Sequence, residues 1–171
     1  MSGYGNLWDN GGCGTDSTGG LVVDALFPIL IAEDDENDAL IIERALRKAG
    51  FANPFHVCSD GTDVIAYVTG KPPYEDRQKF VFPRILITDL KMPKMDGLEL
   101  LEWLKNNPAC GIIPTIVLTA SRQESDIQKA YQLGANSYLV KPTSFDRLTH
   151  ILRMTLEYWE ICEKPLLPTK C

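Results

Sequence analysis

The sequence has no Lys or Arg before Arg44 and no apolar run near the roughly 18 residues that a membrane-spanning helix needs. Neither a secretory leader nor a membrane partner is expected. Histidine is scarce: His56 and His150 lie far apart, and each is expected at the surface or half-buried rather than on a metal. The five cysteines, Cys13, Cys58, Cys110, Cys162 and Cys171, are odd in number, widely spaced and without a Cys-x-x-Cys pair. That pattern indicates neither a zinc site nor a disulfide framework, and a reducing, cytoplasmic setting fits it best. Lys and Arg nowhere cluster, and a net charge of -6 with a pI near 4.9 argues against a nucleic-acid surface.

What is present suits one soluble domain: 171 residues, 44% hydrophobic and 23% charged. Seven of the thirteen glycines fall in the first twenty residues, among Ser, Thr, Asn and Asp. Such a composition cannot bury enough surface to offset its ordering entropy, so residues 1–27 are expected to be a flexible arm or the product of a mis-set start. Residues 28–163 are expected to form the domain, and 164–171 a C-terminal tail.

From Pro28 the pattern becomes periodic. Ile29–Ala32 reads as a strand ending in Glu33-Asp34-Asp35. Asn37 or Asp38 then offers an N-cap to a helix carrying Ala39, Ile42, Leu46 and Ala49, which Gly50 stops. Phe55–Cys58 is a second strand, Ser59–Gly61 a turn, and Thr62–Val68 a short helix closed by Gly70. Lys71–Pro83, with three prolines, is a long loop. The continuous run Ile85–Ile87 marks a strand covered on both faces, and it ends at Asp89. Beyond it come a helix over Leu98–Asn107, a strand over Thr115–Ala120 and a helix over Gln123–Leu133 with Ile127, Ala130 and Tyr131 inward. The strand Ser137–Pro142 and a last helix, capped by Ser144 and reaching about Cys162, complete the chain.

Five strands alternating with five helices specify an α/β, doubly wound parallel sheet of order 2-1-3-4-5, the flavodoxin-like arrangement. That order sets Glu33 and Asp34, at the end of strand 1, beside Asp89, at the end of strand 3. Three carboxylates so close require protons or a cation, and hard oxygen ligands suit Mg²⁺, with Mn²⁺ as an alternative. The fourth strand ends in a hydroxyl, Thr119, and the fifth in an ammonium, Lys141. Hydroxyl, lysine and cation converging on one carboxylate are what a transferring phosphoryl group needs, and the product would be a phospho-aspartate.

Residues 28 to about 160 resemble the receiver domain of bacterial two-component response regulators. The resemblance implies that Asp89 is the phosphoacceptor, Glu33 and Asp34 the acidic pair, Thr119 and Lys141 the phosphate-binding residues, and Tyr138 the switch aromatic. It implies metal ligation by Asp34, Asp89 and the Lys91 backbone carbonyl, with Glu33 acting through water. Lys91 and Ser121 would line the path of the hydrolytic water and tune the phosphoryl lifetime. Met92–Gly97 matches the family's Pro/Gly loop, and Ala120 its small residue, whereas Thr143 stands where many members carry Phe. Within the family the loop before strand 3, the phrase Asp89–Lys94 and the tail around Tyr158–Glu160 are most similar to standalone receivers partnering phytochrome-type histidine kinases.

Two other readings compete. An aspartate-nucleophile, Mg-dependent phosphohydrolase usually carries a second Asp two residues after the first, where this chain has Lys91. A non-phosphorylated pseudo-receiver would not need the full set of acids, Thr119 and Lys141. On the last helix, Leu148, Ile151, Leu152, Thr155, Leu156 and Trp159 form one inward stripe, while Met154, Tyr158, Ile161 and Cys162 form a second that suits a homodimer or kinase contact. Lys94 and Arg122 are expected to be solvated charges.

Overall fold

Short strands without a polar face need cover on both sides, and the computed structural model, which describes residues 28–52 and 54–163, has it. The elements run β1 (Ile29–Ala32), α1 (Glu36–Lys48), β2 (Phe55–Cys58), α2 (Gly61–Thr69), β3 (Ile85–Thr88), α3 (Gly97–Asn106), β4 (Thr115–Thr119), α4 (Glu124–Gln132), β5 (Ser137–Val140) and α5 (Phe145–Ile161). The strands form one parallel sheet of order β2-β1-β3-β4-β5, the flavodoxin-like topology expected from the alternation. The arm over 1–27 and the tail over 164–171 lie outside the described residues.

The period of two along each strand divides the apolar residues between the faces. Ile29, Ile31, Ile85, Ile87, Ile116 and Leu118 pack against Ile42, Ala45 and Leu46 of α1 and Leu148, Leu152 and Leu156 of α5. Leu30, Ala32 and Leu86 face Val64 and Val68 of α2 and Leu100 and Leu104 of α3. Leu90, Leu101, Val117 and Ala130 close the α4 side. Full burial of one such side chain is worth about 1.5–3 kcal/mol, and a one-residue slip would turn every strand's set to the wrong face. Register is therefore fixed by the core. It pairs Ile31 with Ile87 and Ala32 with Thr88, so the next residues, Glu33 and Asp89, emerge side by side.

The helix starts differ from the sequence expectation. Asp35, not Asn37 or Asp38, caps α1, its carboxylate accepting the N–H groups of Asn37 and Asp38 at 2.8 and 3.0 Å. Asp60 caps α2, so that helix begins at Gly61 rather than Thr62. Asp96 and Glu99 form a capping box that starts α3 at Gly97. Tyr131 is not inward: it is half exposed, and its hydroxyl accepts the Tyr138 N–H at 3.2 Å. His56 is half-buried and stacked on Tyr67, and His150 is exposed. Among the described cysteines, Cys58 and Cys162 are free thiols and Cys110 is disulfide-bonded, which the cysteine spacing did not suggest.

Gly97 is the closest contact between fold and site. A Cβ built there would lie 2.1 Å from the Asp89 carbonyl oxygen and 2.9 Å from the Leu90 Cα, and the Gly97 N–H donates to the Leu90 carbonyl at 2.9 Å. Backbone cannot yield as a flexible side chain can. Gly97→Ala is expected to destabilise the domain by on the order of 3 kcal/mol, read as a lower urea midpoint with an unchanged slope.

Candidate functional site

Sheet hydrogen bonding continues one residue past the strands and fixes the site's backbone. The Glu33 N–H donates to the Cys58 carbonyl at 3.0 Å, the Asp89 N–H to the Ala32 carbonyl at 2.9 Å, and the Lys141 N–H to the Thr119 carbonyl at 2.7 Å. Asp89 is buried, and one carboxylate oxygen, Oδ1, accepts the backbone N–H groups of Leu90 and Lys91. Its Oδ2 takes the Lys141 ammonium at 2.8 Å. The same ammonium reaches Glu33 Oε2 at 2.6 Å and Asp38 Oδ2 at 2.8 Å. The Thr119 hydroxyl, itself buried, accepts the Ser121 N–H at 3.4 Å and helps to hold the Asp89 carboxylate ionised.

The titration behaviour follows from these contacts. Burial alone would raise Asp89, but hydrogen bonds from Lys141 and Thr119 outweigh it and hold the carboxyl below its ordinary value. Glu33 goes the other way: its burial exceeds the help of Lys141, and its pKa is raised. Burial would lower Lys141, yet its hydrogen bonds to Asp38, Asp89 and Glu33 raise it well above the usual lysine range. The ammonium is therefore permanently charged, and Asp89 is an anion at neutral pH.

The structure brings Glu33, Asp89, Thr119 and Lys141 together as expected but leaves Asp34 exposed, outside the lysine's ring of partners. Among the described residues no three acidic, His or Cys side chains are arranged to hold a metal ion. The Lys141 ammonium lies between Glu33 and Asp89. The buried acidic side chains there, Glu33 and Asp89, offer oxygen donors, and that chemistry fits a hard divalent cation. Asp38 was read in the sequence only as a possible N-cap, not as a site residue; its signal was an acid in the first turn of the helix after strand 1.

Around this centre, Tyr138 is half-buried against the Leu90, Leu101, Val117 and Ala130 cluster, its hydroxyl donating to the Ser121 carbonyl at 3.2 Å. Ser121 Oγ donates to Asp126 at 2.6 Å, and the Lys91 side chain is exposed. Thr143 lines a cavity of about 350 Å³ with Asp38, Ile41, Lys141 and Phe145. Lys94 is not merely solvated: in the left-handed conformation, at φ 60°, it pairs with buried Asp60 at 2.7 Å.

A central strand ending in a carboxylate clamped by the hydroxyl and lysine of the next two strands is the architecture of a signalling receiver. The family model for the response regulator receiver domain matches residues 29–153, and the chain belongs to that family. Over 146 residues it is 34% identical to the probable methanogenesis regulatory protein FilR2 of Methanothrix harundinacea, covering 85% of this chain and 92% of that one. It is 30% identical to the response regulator Rcp1 of Synechocystis sp., covering 77% and 87%. The Mn(2+)-bound form of Rcp1 superposes with a TM-score of 0.72 at 29% identity, over 81% of this chain and 99% of that one. The phosphorylated cyanobacterial phytochrome response regulator RcpA gives 0.75 at 29%, over 83% and 100%. The chain's role is thus that of a two-component signalling receiver, and neither the phosphohydrolase nor the pseudo-receiver reading gains support.

The Asp60–Lys94 pair generates a test of pH dependence. Burial pushes Asp60 up, but the Lys94 ammonium, the Thr62 hydroxyl and the Asp63 N–H prevail and hold it at about 2. A depressed carboxyl stabilises fully above its unfolded value of roughly 3.9 and loses that contribution as pH falls toward about 2. Lys94→Met is expected to lower stability at neutral pH, and the difference from wild type should shrink as pH falls from roughly 4 toward about 2, read as urea midpoints at each pH by circular dichroism.

Proposed function

We propose that Asp89 accepts the phosphoryl group from a phosphohistidine of a sensor kinase or from a small acyl phosphate. The observation that carries this reading is Lys141, whose single ammonium bridges Glu33 and Asp89 at the ends of adjacent strands. An Asp89 oxygen forms the new bond to phosphorus. The bond that breaks is P–N in phosphohistidine or P–O in an acyl phosphate, and the leaving group takes the electron pair. Lys141 and Thr119 supply donors to the charge that develops on the phosphoryl oxygens. Glu33, Asp34, Asp89 and the Lys91 carbonyl would hold Mg²⁺ or Mn²⁺, and the Mn(2+)-bound form of Rcp1 supports a divalent ion in this fold. When bound, that ion neutralises part of the carboxylate and phosphoryl charge. Transfer and autodephosphorylation are catalysed by the receiver itself, with Lys91 and Ser121 tuning the lifetime and Thr119 and Tyr138 acting as the switch.

The functional unit is residues 28–163, working in the cytoplasm. Its phosphodonor is a sensor histidine kinase of the phytochrome type, a reading supported by Rcp1 and RcpA. Exposed Ile41 and Phe145 line the Lys141 cavity and offer that donor an apolar landing beside Lys141. Output passes through protein contacts, and Met154, Tyr158 and Ile161 of α5, 58%, 59% and 84% exposed, suit a homodimer.

Acetyl phosphate with Mg²⁺ is expected to add one phosphoryl group to wild type and none to Asp89→Asn. Lys141→Met should slow uptake by on the order of 100-fold, as for loss of one preorganised donor. Undiminished labelling of Asp89→Asn would overturn the assignment, and transfer at full rate in excess chelator would overturn the metal. For the dimer, sedimentation of wild type is expected to show self-association that Tyr158→Glu with Ile161→Glu abolishes. A wild type that stays monomeric with and without a phosphoryl mimic would leave only the hetero-contact.

A further inference from the structure

A lysine ammonium has three N–H donors and no acceptor, and here each donor is engaged by a different carboxylate: Glu33 at 2.6 Å, Asp38 at 2.8 Å and Asp89 at 2.8 Å. A saturated ammonium has no donor left for an incoming phosphoryl oxygen, so one of the three bonds must open first. Burial decides which. The Glu33 side chain is 3% exposed, and stripping Lys141 from it would strand a desolvated anion. Asp89 is 11% exposed and is itself the reacting group, so its bond to Lys141 is the one the reaction has to keep close. The Asp38 side chain is 45% exposed, and water can replace the lysine there at little cost. Asp38 also lies in the first turn of α1, where the helix dipole favours a negative charge without any lysine partner.

From this juxtaposition we infer that Asp38 is a positioning residue: a releasable third carboxylate that holds Lys141 in the resting site and competes with the phosphoryl group for the ammonium. The inference rests on Asp89 being the acceptor. Asp38 touches neither the phosphoryl group nor Asp89; it acts through Lys141 alone. Opening the Asp38 bond leaves Lys141 held between Glu33 and Asp89 with one donor aimed at the crevice. The strength of the Asp38 contact therefore sets how readily the site accepts a phosphoryl group. The fold should be indifferent to it, because the α1 cap is made by the neighbouring Asp35.

The probe is beryllofluoride, a tetrahedral phosphoryl mimic, titrated in Mg²⁺ and followed by fluorine NMR. Asp38→Asn is expected to bind it about two- to fivefold more tightly than wild type, the scale of one half-exposed ion pair. Asp38→Ser, which removes the carboxylate with a different side chain, should behave alike, and Asp38→Glu, which can still reach Lys141, should return toward wild type. Glu36→Gln is the control for a plain change of field, since Glu36 is an exposed acid of the same helical turn that is not a partner of Lys141. It should leave the affinity unchanged. Loss of Asp38 should also shift the Lys141 ammonium proton signal in the protein without beryllofluoride. An equal gain in Glu36→Gln, or no gain in either Asp38 variant while wild type binds normally, overturns the inference. A wild type that neither binds the mimic nor labels at Asp89 fails earlier, and shows that the acceptor reading itself is wrong.

Discussion

One ammonium among three carboxylates is the constraint on which the rest of the molecule depends. Glu33 and Asp89 are nearly buried, and at the end of adjacent parallel strands they would repel each other strongly in a medium less polar than water. Lys141 makes their proximity tolerable, and it arrives from the far side of the sheet, two strands away from Asp89. The domain must therefore hold β1, β3, β4 and β5 in one register for the charges to balance. That register is supplied by isoleucines and leucines that never touch the site.

The same arrangement keeps Asp89 ionised despite its burial. A carboxylate nucleophile must be ionised and accessible, yet burial favours its protonated form. Lys141 and Thr119 reverse that preference, while backbone N–H groups of the following loop fix its orientation. Glu33, with fewer donors at equal burial, shows what Asp89 would be without them: a carboxyl pushed upward. Two acids side by side are thus set apart by their partners, not by their chemistry.

The fold was legible because both-face burial writes continuous apolar runs and the crossover helices write a 3.6-residue period, each bounded by Gly or Pro. Glu33, Asp89, Thr119 and Lys141 were legible because each is a polar residue at the carboxyl end of a strand. Asp38 was not, since its contact with Lys141 spans 103 residues, a separation that no local pattern encodes. The α1 cap was misplaced because Glu33-Asp34-Asp35 offers consecutive candidates, and only the backbone turn at Asp35 selects one. Tyr131 followed the helical period yet lies at its margin, where its hydroxyl serves the edge strand instead of the core. Lys94 looked solvated because nothing in the sequence shows that Asp60 is buried within reach of it.

Gly97 has a mechanical consequence. Its lack of a side chain lets α3 abut the Asp89–Leu90 backbone, and the loop between is further tied to α2 by the Gly61 to Met95 hydrogen bond and the Asp60–Lys94 pair. The helix on the other side of the site is loosely seated by comparison: α4 has no side-chain cap, and Ala130 is its only buried residue. Asp89 thus works between an anvil and a spring. A load placed on it would meet less resistance on the β4–α4 side than on the side of α3.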